Sequence, residues 1–170
     1  TGGTSATIGR YIRYHAACAG ITQLCVADPE RSVFYDYFHS GDRSLRAEQG
    51  SRIEGIGRPR VEPSFLRSVV DRMLKVDDNA SLAALQVLRQ LTGRALGGSS
   101  GTHFVACCHL ISEMAERGET GSMVTLICDS GDRYRGSYHN EQWLEEQGFE
   151  LGPHQEALEG FLAGKPYSLA

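Results

Sequence analysis

The first residues of the chain have the types and spacing of a phosphate-binding loop. Thr1-Gly2-Gly3-Thr4 is followed by a segment whose sequence predicts a helix that begins directly after the glycines. Backbone N–H groups in the first turn of a helix lack partners within the helix, and the helix dipole places partial positive charge there. A phosphate dianion satisfies both, and glycines let the backbone approach it closely. Because the chain opens inside this candidate ligand site, we expect it to be the C-terminal part of a longer protein.

Two further loops rich in glycine and serine have similar positions along the chain. Residues 97–101 (GGSSG) open a predicted helix, and residues 129–131 (DSG) follow a predicted strand. In open α/β sheets, ligands lie beyond the carboxyl ends of the strands. Three such loops in one small domain favour a phosphorylated small ligand. Each loop alone is equally compatible with an ordinary tight turn, and Ser99 and Ser100 would also suit the capping of a helix.

The elements that must position these loops alternate between helix and strand. Hydrophobic periodicity predicts helices over 4–19, 63–71, 77–91, 97–117, 140–147 and 153–162, and strands over 22–27, 73–76, 95–96 and 122–128. Asp77, Asp78 and Asn79 are candidate N-caps. The aromatic cluster Phe34–Phe38 is compatible with either a helical turn or a loop. The order of elements predicts an α/β fold with a largely parallel sheet, and 170 residues suit one domain.

Composition excludes several classes of partner. The net charge of -4 provides no basic surface for nucleic acid or for anionic lipid, and no apolar run is long enough to span a bilayer. We therefore expect neither a nucleic-acid nor a membrane partner. An odd number of cysteines, five in all, in apolar settings predicts reduced and mostly buried thiols in a cytoplasmic protein.

A cluster of histidine and cysteine invites comparison with a metal site. On a helix, His103 and Cys107 share a face, whereas Cys108 and His109 project elsewhere. No second pair of ligands stands at the spacing typical of zinc sites. We predict core packing here and no metal. Cys128 is likewise predicted to be a core residue, because nothing adjacent in sequence would lower its pKa.

Taken together, the loops resemble those of the cysteine synthase and cystathionine β-synthase family, which are pyridoxal-phosphate enzymes of fold type II. Thr1–Thr4 with Gly9-Arg10-Tyr11 resembles the loop that binds the cofactor phosphate, and Glu54–Gly57 resembles the glycine loop on the substrate side. Leu96–Gly101 resembles the segment whose serine meets the pyridine nitrogen. Asp129–Tyr134 resembles the end of the last active-site strand, and the match runs in order from Thr1 to about Phe149.

The resemblance implies a cofactor, a fold and a set of site residues. The fold is the large domain of such an enzyme, residues 1–170, with helices on both faces of the sheet. Pyridoxal phosphate would be bound by Thr1, Gly2, Gly3, Thr4, Ser99, Asp129 and Ser130, and the substrate would be contacted by Gly55, Ile56, Gly57 and Arg58. Tyr138–Trp143, with Gly148 and Phe149, resembles the cystathionine β-synthase branch.

The residue expected opposite the ring nitrogen also bears on the reaction. An uncharged serine, Ser99, leaves that nitrogen unprotonated, because it does not stabilise the charged form. This favours β-elimination or β-replacement through an aminoacrylate over transamination. The resemblance implies cysteine, serine or O-activated serine as substrate, with cysteine synthase, cystathionine synthase or cysteine desulfhydrase activity.

The resemblance also identifies what the chain lacks. In this family the lysine that forms the Schiff base lies upstream of the phosphate loop, in a small N-terminal domain. The chain has only Lys75 and Lys165, neither at the matching position, and we expect both to be solvated. No catalytic residue is therefore assigned here, and the chain alone is expected to be inactive. One alternative is a non-catalytic half that acts as a binding or assembly module. Another is a flavodoxin-like domain complete in these residues, which the abrupt start disfavours.

Arg58, three histidines and the aromatic cluster Phe34–Phe38 also give rise to expectations. Arg58-Pro59-Arg60 departs from the relatives' pattern, and Arg58 is either a ligand for an anionic substrate group or a solvated arginine. His15, His139 and His154 are expected to have no functional role, because no partner is evident. Family members are commonly homodimers, so a homodimer is expected, with Phe34–Phe38 as the candidate contact.

Overall fold

The chain folds into two compact units, Thr1–Lys75 and Val76–Ala170. The computed structural model of the protein describes residues 1–15 and 17–169. In the first unit, α1 spans Gly3–Tyr14, β1 spans Cys25–Pro29 and α2 spans Phe34–Ser40. β2 spans Arg72–Val76, and all of its residues except Val76 belong to the first unit. β1 and β2 are hydrogen-bonded neighbours in a two-stranded sheet and run parallel. The combination of helices with parallel strands confirms the predicted α/β class.

The helix predicted over 4–19 is shorter than expected. α1 ends at Tyr14 because His15 adopts an extended backbone with ψ of 115°, and the N–H groups of Cys18 and Ala19 then bond to the carbonyl of His15 in a turn. Ala16, inside the predicted span, lies outside the described residues. β1 begins three residues later than predicted, at Cys25 rather than 22, and it includes Pro29.

The aromatic cluster Phe34–Phe38 belongs to the core of the first unit. It lies in α2, whose C-cap is Gly41, and the rings of Phe34 and Phe65 stack with centroids 4.6 Å apart. Phe34 and Tyr37 are buried, with Val70 and Met73 packed in the same cluster. The expectation that these aromatics form a dimer contact is therefore wrong for the two buried rings, which their own unit covers.

The segment 63–71 is not the helix that its sequence predicts. Only Arg67–Val69 forms a single 3-10 turn, because Leu66 before it and Val70 after it have extended backbones. A hydrogen bond to another segment fixes it instead, because the Ser64 hydroxyl donates to the Thr1 carbonyl at 2.6 Å. Phe65 is buried in the same core cluster as Phe34 and Tyr37.

The second unit is built mainly from helices. α3 spans Asp78–Thr92, α4 Gly98–Glu116, α5 Glu141–Glu146 and α6 Gly152–Leu162, close to the predicted spans. The Asp77 carboxylate accepts a hydrogen bond from the Ala80 N–H at 2.8 Å, which confirms an N-cap at this point. α3 and α4 pack together, and the Thr102 hydroxyl of α4 donates to the Ser81 hydroxyl of α3 at 2.9 Å. None of the described helices is long and apolar enough to cross a membrane.

The strand predicted over 122–128 is not formed. This segment has no regular secondary structure, and Val124 is 90% exposed. A strand needs a neighbour for its backbone hydrogen bonds. Among the described residues, the nearest pairing is a single bridge between Leu96 and Ser130, which is all that remains of the strand predicted at 95–96. Residues 122–128 therefore have the apolar pattern of a strand but pair with no strand among the described residues.

Candidate functional site

The predicted phosphate loop forms an uncapped helix N-terminus in the first unit. Gly2 is the N-cap of α1 with φ of 84°, no side chain caps the helix, and the first turn contains no acidic residue. A Cβ at Gly2 would lie 2.7 Å from the Cα of Phe65, so only glycine fits this close approach. Exposed Thr1, Gly3 and Thr4 surround it. A positive helix end without a competing carboxylate fits a phosphate group.

The predicted substrate loop is tied to the start of α2. The Arg58 N–H donates to the Ser32 hydroxyl at 3.1 Å, and the Arg58 carbonyl accepts from the Val33 N–H at 2.9 Å. Gly57 has φ of 74° and packs so closely that a Cβ would lie 2.7 Å from Pro29 Cγ. Ile56 is half-buried, whereas Gly55 is exposed. The loop is therefore held at its Gly57–Arg58 end and open at Gly55.

Arg58 was predicted to be either a ligand for an anionic substrate group or a solvated arginine. Its side chain is half-buried rather than solvated, and its guanidinium donates to the Gly57 carbonyl at 2.8 Å. The Arg58 side chain is therefore partly engaged by its own loop.

The two glycine- and serine-rich loops of the second unit lie side by side. The Gly97 N–H donates to the Asp129 carbonyl at 3.1 Å, and the Gly131 N–H donates to the Ala95 carbonyl at 2.9 Å. The Asp129 carboxylate occupies the space that a Cβ at Gly97 would need. The structure thus brings Ser99, Asp129 and Ser130 to one edge of this unit.

The serines at the start of α4 do not cap it. The N-cap is Gly97, which has no side chain, and α4 begins at Gly98. Ser99 is 5% exposed and Ser100 3% exposed, and the Ser100 hydroxyl accepts from the Cys128 N–H at 3.1 Å. The capping interpretation of these residues is therefore wrong, and Ser100 instead fixes the chain just before Asp129.

Asp129 and Ser130 are both held by local hydrogen bonds. The Tyr134 hydroxyl donates to the Asp129 carboxylate at 2.7 Å. The Ser130 hydroxyl donates to the Asp132 carboxylate at 2.7 Å and accepts from the Asp132 N–H at 3.2 Å. Asp129 is half-buried and Ser130 is exposed. The loop therefore presents one fixed carboxylate and one accessible hydroxyl.

Cys128 is not the core residue that its sequence predicts. It is exposed, and its Sγ lies 3.6 Å from His103 Nδ1. The hydrogen bond with His103 lowers the pKa of Cys128, so the expectation that nothing nearby would do so is wrong. The two residues are 25 positions apart in sequence. Sequence reasoning missed the pair because it forms only when the segment before Asp129 packs along α4.

Each of the three histidines predicted to lack a partner has one. His139 Nε2 lies 2.9 Å from the Leu96 carbonyl oxygen, so this histidine contacts the residue just before the loop 97–101. His154 Nε2 lies 3.5 Å from the Asp77 carboxylate, and the ring of His15 stacks on Tyr11 at 5.0 Å. The expectation that these histidines have no partner is therefore wrong.

The lysines are exposed and the cysteines are free thiols. Lys75 and Lys165 are exposed, as predicted, and Lys75 pairs with the Asp36 carboxylate at 3.2 Å. All five cysteines are free thiols, but only Cys108 is fully buried, so the expectation of mostly buried thiols is wrong. Within residues 1–15 and 17–169, no three His, Cys, Asp or Glu side chains are grouped as they would be around a metal ion.

Comparison with known proteins relates this geometry to a family. The chain is 51% identical over 154 residues to L-cysteine desulfhydrase Cds1 of Mycobacterium tuberculosis, an alignment that covers 90% of the chain and 41% of the relative. It is 31% identical to cysteine synthase 1 of Neurospora crassa, over 95% of the chain and 42% of the relative. The chain thus spans about two fifths of the length of these relatives.

Solved structures agree with the sequence relatives. The O-acetylserine-dependent cystathionine β-synthase of Helicobacter pylori is similar with a TM-score of 0.59 and 29% identity, over 80% of this chain and 40% of that one. O-acetylserine sulfhydrylase isoform 3 of Entamoeba histolytica shares the fold with a TM-score of 0.65 and 20% identity, over 93% and 42% of the two chains. The fold type II class is therefore confirmed. The family model described as "Pyridoxal-phosphate dependent enzyme" matches residues 1–129, and the chain belongs to this family.

Proposed function

We propose that this chain is the cofactor-holding part of an enzyme that releases sulfide from cysteine by pyridoxal-phosphate-dependent β-elimination. The observation that carries this proposal is the 51% identity to L-cysteine desulfhydrase over 90% of the chain. The relatives named as synthases are about 30% identical, so β-replacement on serine or O-activated serine stands second.

The start of α1 is proposed to bind the cofactor phosphate. Its backbone N–H groups and the hydroxyls of Thr1 and Thr4 would donate to the phosphate oxygens, at a helix end where the dipole favours negative charge. Gly2 keeps the loop in the left-handed conformation that such a turn requires. The absence of an acidic residue from the first turn of α1 supports this assignment.

The edge formed by Ser99, Asp129 and Ser130 is proposed to bind the cofactor ring. Ser99 would face the ring nitrogen with an uncharged hydroxyl, which leaves that nitrogen unprotonated. Asp129, fixed by Tyr134, would keep the backbone of this edge in place. When bound, pyridoxal phosphate supplies the electron sink that allows loss of the substrate Cα proton.

The Gly55–Arg58 loop is proposed to bind the amino-acid substrate. Gly55 and Ile56 would offer backbone groups from the open end of the loop, while Gly57 and Arg58 are anchored to Ser32 and Val33. The half-buried Arg58 guanidinium suits recognition of a carboxylate, for which arginine provides a planar pair of donors.

Three further features of the whole protein are part of the proposal. Residues 1–170 would be the large domain, and the Schiff-base lysine would lie in an N-terminal small domain, since the exposed Lys75 and Lys165 do not match it. Alone, the chain would be inactive. We place the enzyme in the cytoplasm, because five free thiols suit a reducing compartment. A homodimer is proposed from the family resemblance.

The test uses the natural full-length protein with L-cysteine. Elimination predicts sulfide, pyruvate and ammonia in equal amounts, with no requirement for a second substrate. Replacement predicts instead that O-acetylserine with sulfide yields cysteine, or that serine with homocysteine yields cystathionine. Absence of all three reactions in protein supplied with pyridoxal phosphate would overturn the proposal and leave a non-catalytic binding or assembly module as the alternative.

A further inference from the structure

Cys128 and His103 form a thiol–imidazole pair on the second unit. Cys128 Sγ lies 3.6 Å from His103 Nδ1, and the cysteine is exposed while the histidine, in α4, is half-buried. This environment differs from that of Cys108, which is buried and whose pKa burial raises to about 12. Of these two thiols, only Cys128 is accessible to a reagent in solution.

His103 Nδ1 has two hydrogen-bond partners, the Cys128 sulfur and the Leu126 carbonyl oxygen. Nδ1 also lies 3.3 Å from the Leu126 carbonyl oxygen, and a carbonyl oxygen can only accept. A protonated Nδ1 can donate to both the Leu126 carbonyl and the Cys128 sulfur. A sulfur that accepts from an imidazole N–H is stabilised as a thiolate.

The groups around Cys128 lower its pKa on balance. His103 is the main cause of a lowered pKa for Cys128; the Ser99 hydroxyl adds to it, while partial burial and the Asp129 carboxylate oppose it. Burial disfavours a charged imidazole, but the bonds of His103 to Cys128 and Leu126 outweigh it, and the pKa of His103 is raised. Both shifts favour a thiolate beside an imidazolium.

We propose that Cys128 is a thiol–disulfide exchange site for a small disulfide of the cystine class. The Cys128 thiolate attacks one sulfur of the disulfide, a bond forms between Sγ and that sulfur, and the original S–S bond breaks. The second sulfur leaves as a thiolate and takes a proton from the His103 imidazolium. The disulfide is the oxidant, since its leaving sulfur is reduced as Cys128 is oxidised.

An adduct on Cys128 would disturb the candidate site beside it. The Cys128 N–H donates to the Ser100 hydroxyl at 3.1 Å, next to Ser99 in α4, and Asp129 directly follows Cys128 in the chain. This consequence rests on the proposed function: formation of the mixed disulfide is expected to lower the occupancy of the cofactor site, and reduction is expected to restore it. The chemistry at Cys128 does not itself require the cofactor.

The test compares cysteines within one protein. The reduced full-length protein is incubated with L-cystine at pH 7.4, quenched by alkylation and mapped by peptide mass spectrometry. Cys18 is the matched comparator, because its Sγ lies 3.9 Å from His15 Nδ1 and it is half-buried. Cys128 is expected to form the mixed disulfide about ten times faster than Cys18. An equal or slower rate at Cys128 would overturn the proposal.

A substitution of His103 tests whether this histidine causes the faster exchange at Cys128. His103→Gln removes the charge but keeps an N–H donor, and it is expected to reduce the rate at Cys128 to that of Cys18. An unchanged rate in a folded variant contradicts the proposal. If the variant does not fold, the pH dependence of iodoacetamide labelling of wild-type Cys128 decides: a half-maximal rate below about pH 8.5 supports the proposal, and one at or above that value overturns it. Failure of the proposed function would be visible separately, as absence of bound cofactor.

Discussion

Gly2 is the position at which one added methyl group should disturb the phosphate loop most. In Gly2→Ala the residue must keep φ near 84° or the turn into α1 must change. The left-handed conformation costs a residue with a Cβ about 1–2 kcal/mol. The new Cβ would also lie 2.7 Å from both Cα and Cβ of Phe65, whereas ordinary contact begins at 3.4 Å.

The clash at Gly2 is with backbone and not with the end of a mobile side chain. Overpacking of this kind typically costs about 1–3 kcal/mol. Together with the backbone conformation, we expect Gly2→Ala to lower the free energy of unfolding of the first unit by about 2–5 kcal/mol. Phe65 belongs to the same core as Phe34 and Tyr37, so the stability of the whole first unit should decrease.

Gly3→Ala is the matched control, one residue along the chain. Gly3 lies inside α1, and a Cβ there would meet only the Thr1 hydroxyl at 4.0 Å. Because alanine favours helix over glycine, this variant should be unchanged or more stable by up to about 1 kcal/mol. The assay is urea unfolding followed by circular dichroism, with hydrogen exchange of α1 peptides to localise the effect. Equal midpoints for the two variants, or a Gly2→Ala variant as stable as wild type, would refute the reasoning.

Three other predictions follow from single side chains. Burial raises the pKa of Asp28 to about 6 from its ordinary 3.8, so the folded protein retains a proton that the unfolded chain loses, and stability should fall as pH rises from 4 to 7. Asp28→Asn should remove this dependence in urea titrations at the two pH values, and a wild-type slope of opposite sign would contradict it. Asp77→Ala should cost about 1 kcal/mol in urea unfolding through loss of the α3 cap, whereas Asp77→Asn should cost little. Ser99→Ala should shift the absorption maximum of bound cofactor more than Ser130→Ala does; the reverse order would assign the ring contact to the exposed Ser130.

Local signals in the sequence were sufficient for the helices of the second unit, but not for the helix predicted over 63–71. Asp77 is a capping residue followed by apolar positions at helical spacing, and α3 begins and ends close to where these signals indicate. Gly2, Gly55 and Gly57 all have positive φ, as tight turns in glycine loops require. The resemblance to fold type II enzymes rests on these same loops.

Features that depend on distant partners could not be predicted from the sequence. Residues 122–128 have the composition of a buried strand, yet strand formation requires a neighbour, and Val124 is exposed. The Cys128–His103 contact and the burial of Phe34 against Phe65 also depend on packing between segments far apart in the chain. Periodicity describes only which face of an element is apolar, and it contains no information about what covers that face.

The most direct test of the proposed function is the visible absorption spectrum of the full-length protein as purified, repeated after addition of L-cysteine. The account predicts a yellow band from cofactor bound through a lysine, and a shift of that band to longer wavelength when cysteine is added. Protein without a visible band, even after incubation with pyridoxal phosphate, would contradict the account and favour a module that works without the cofactor.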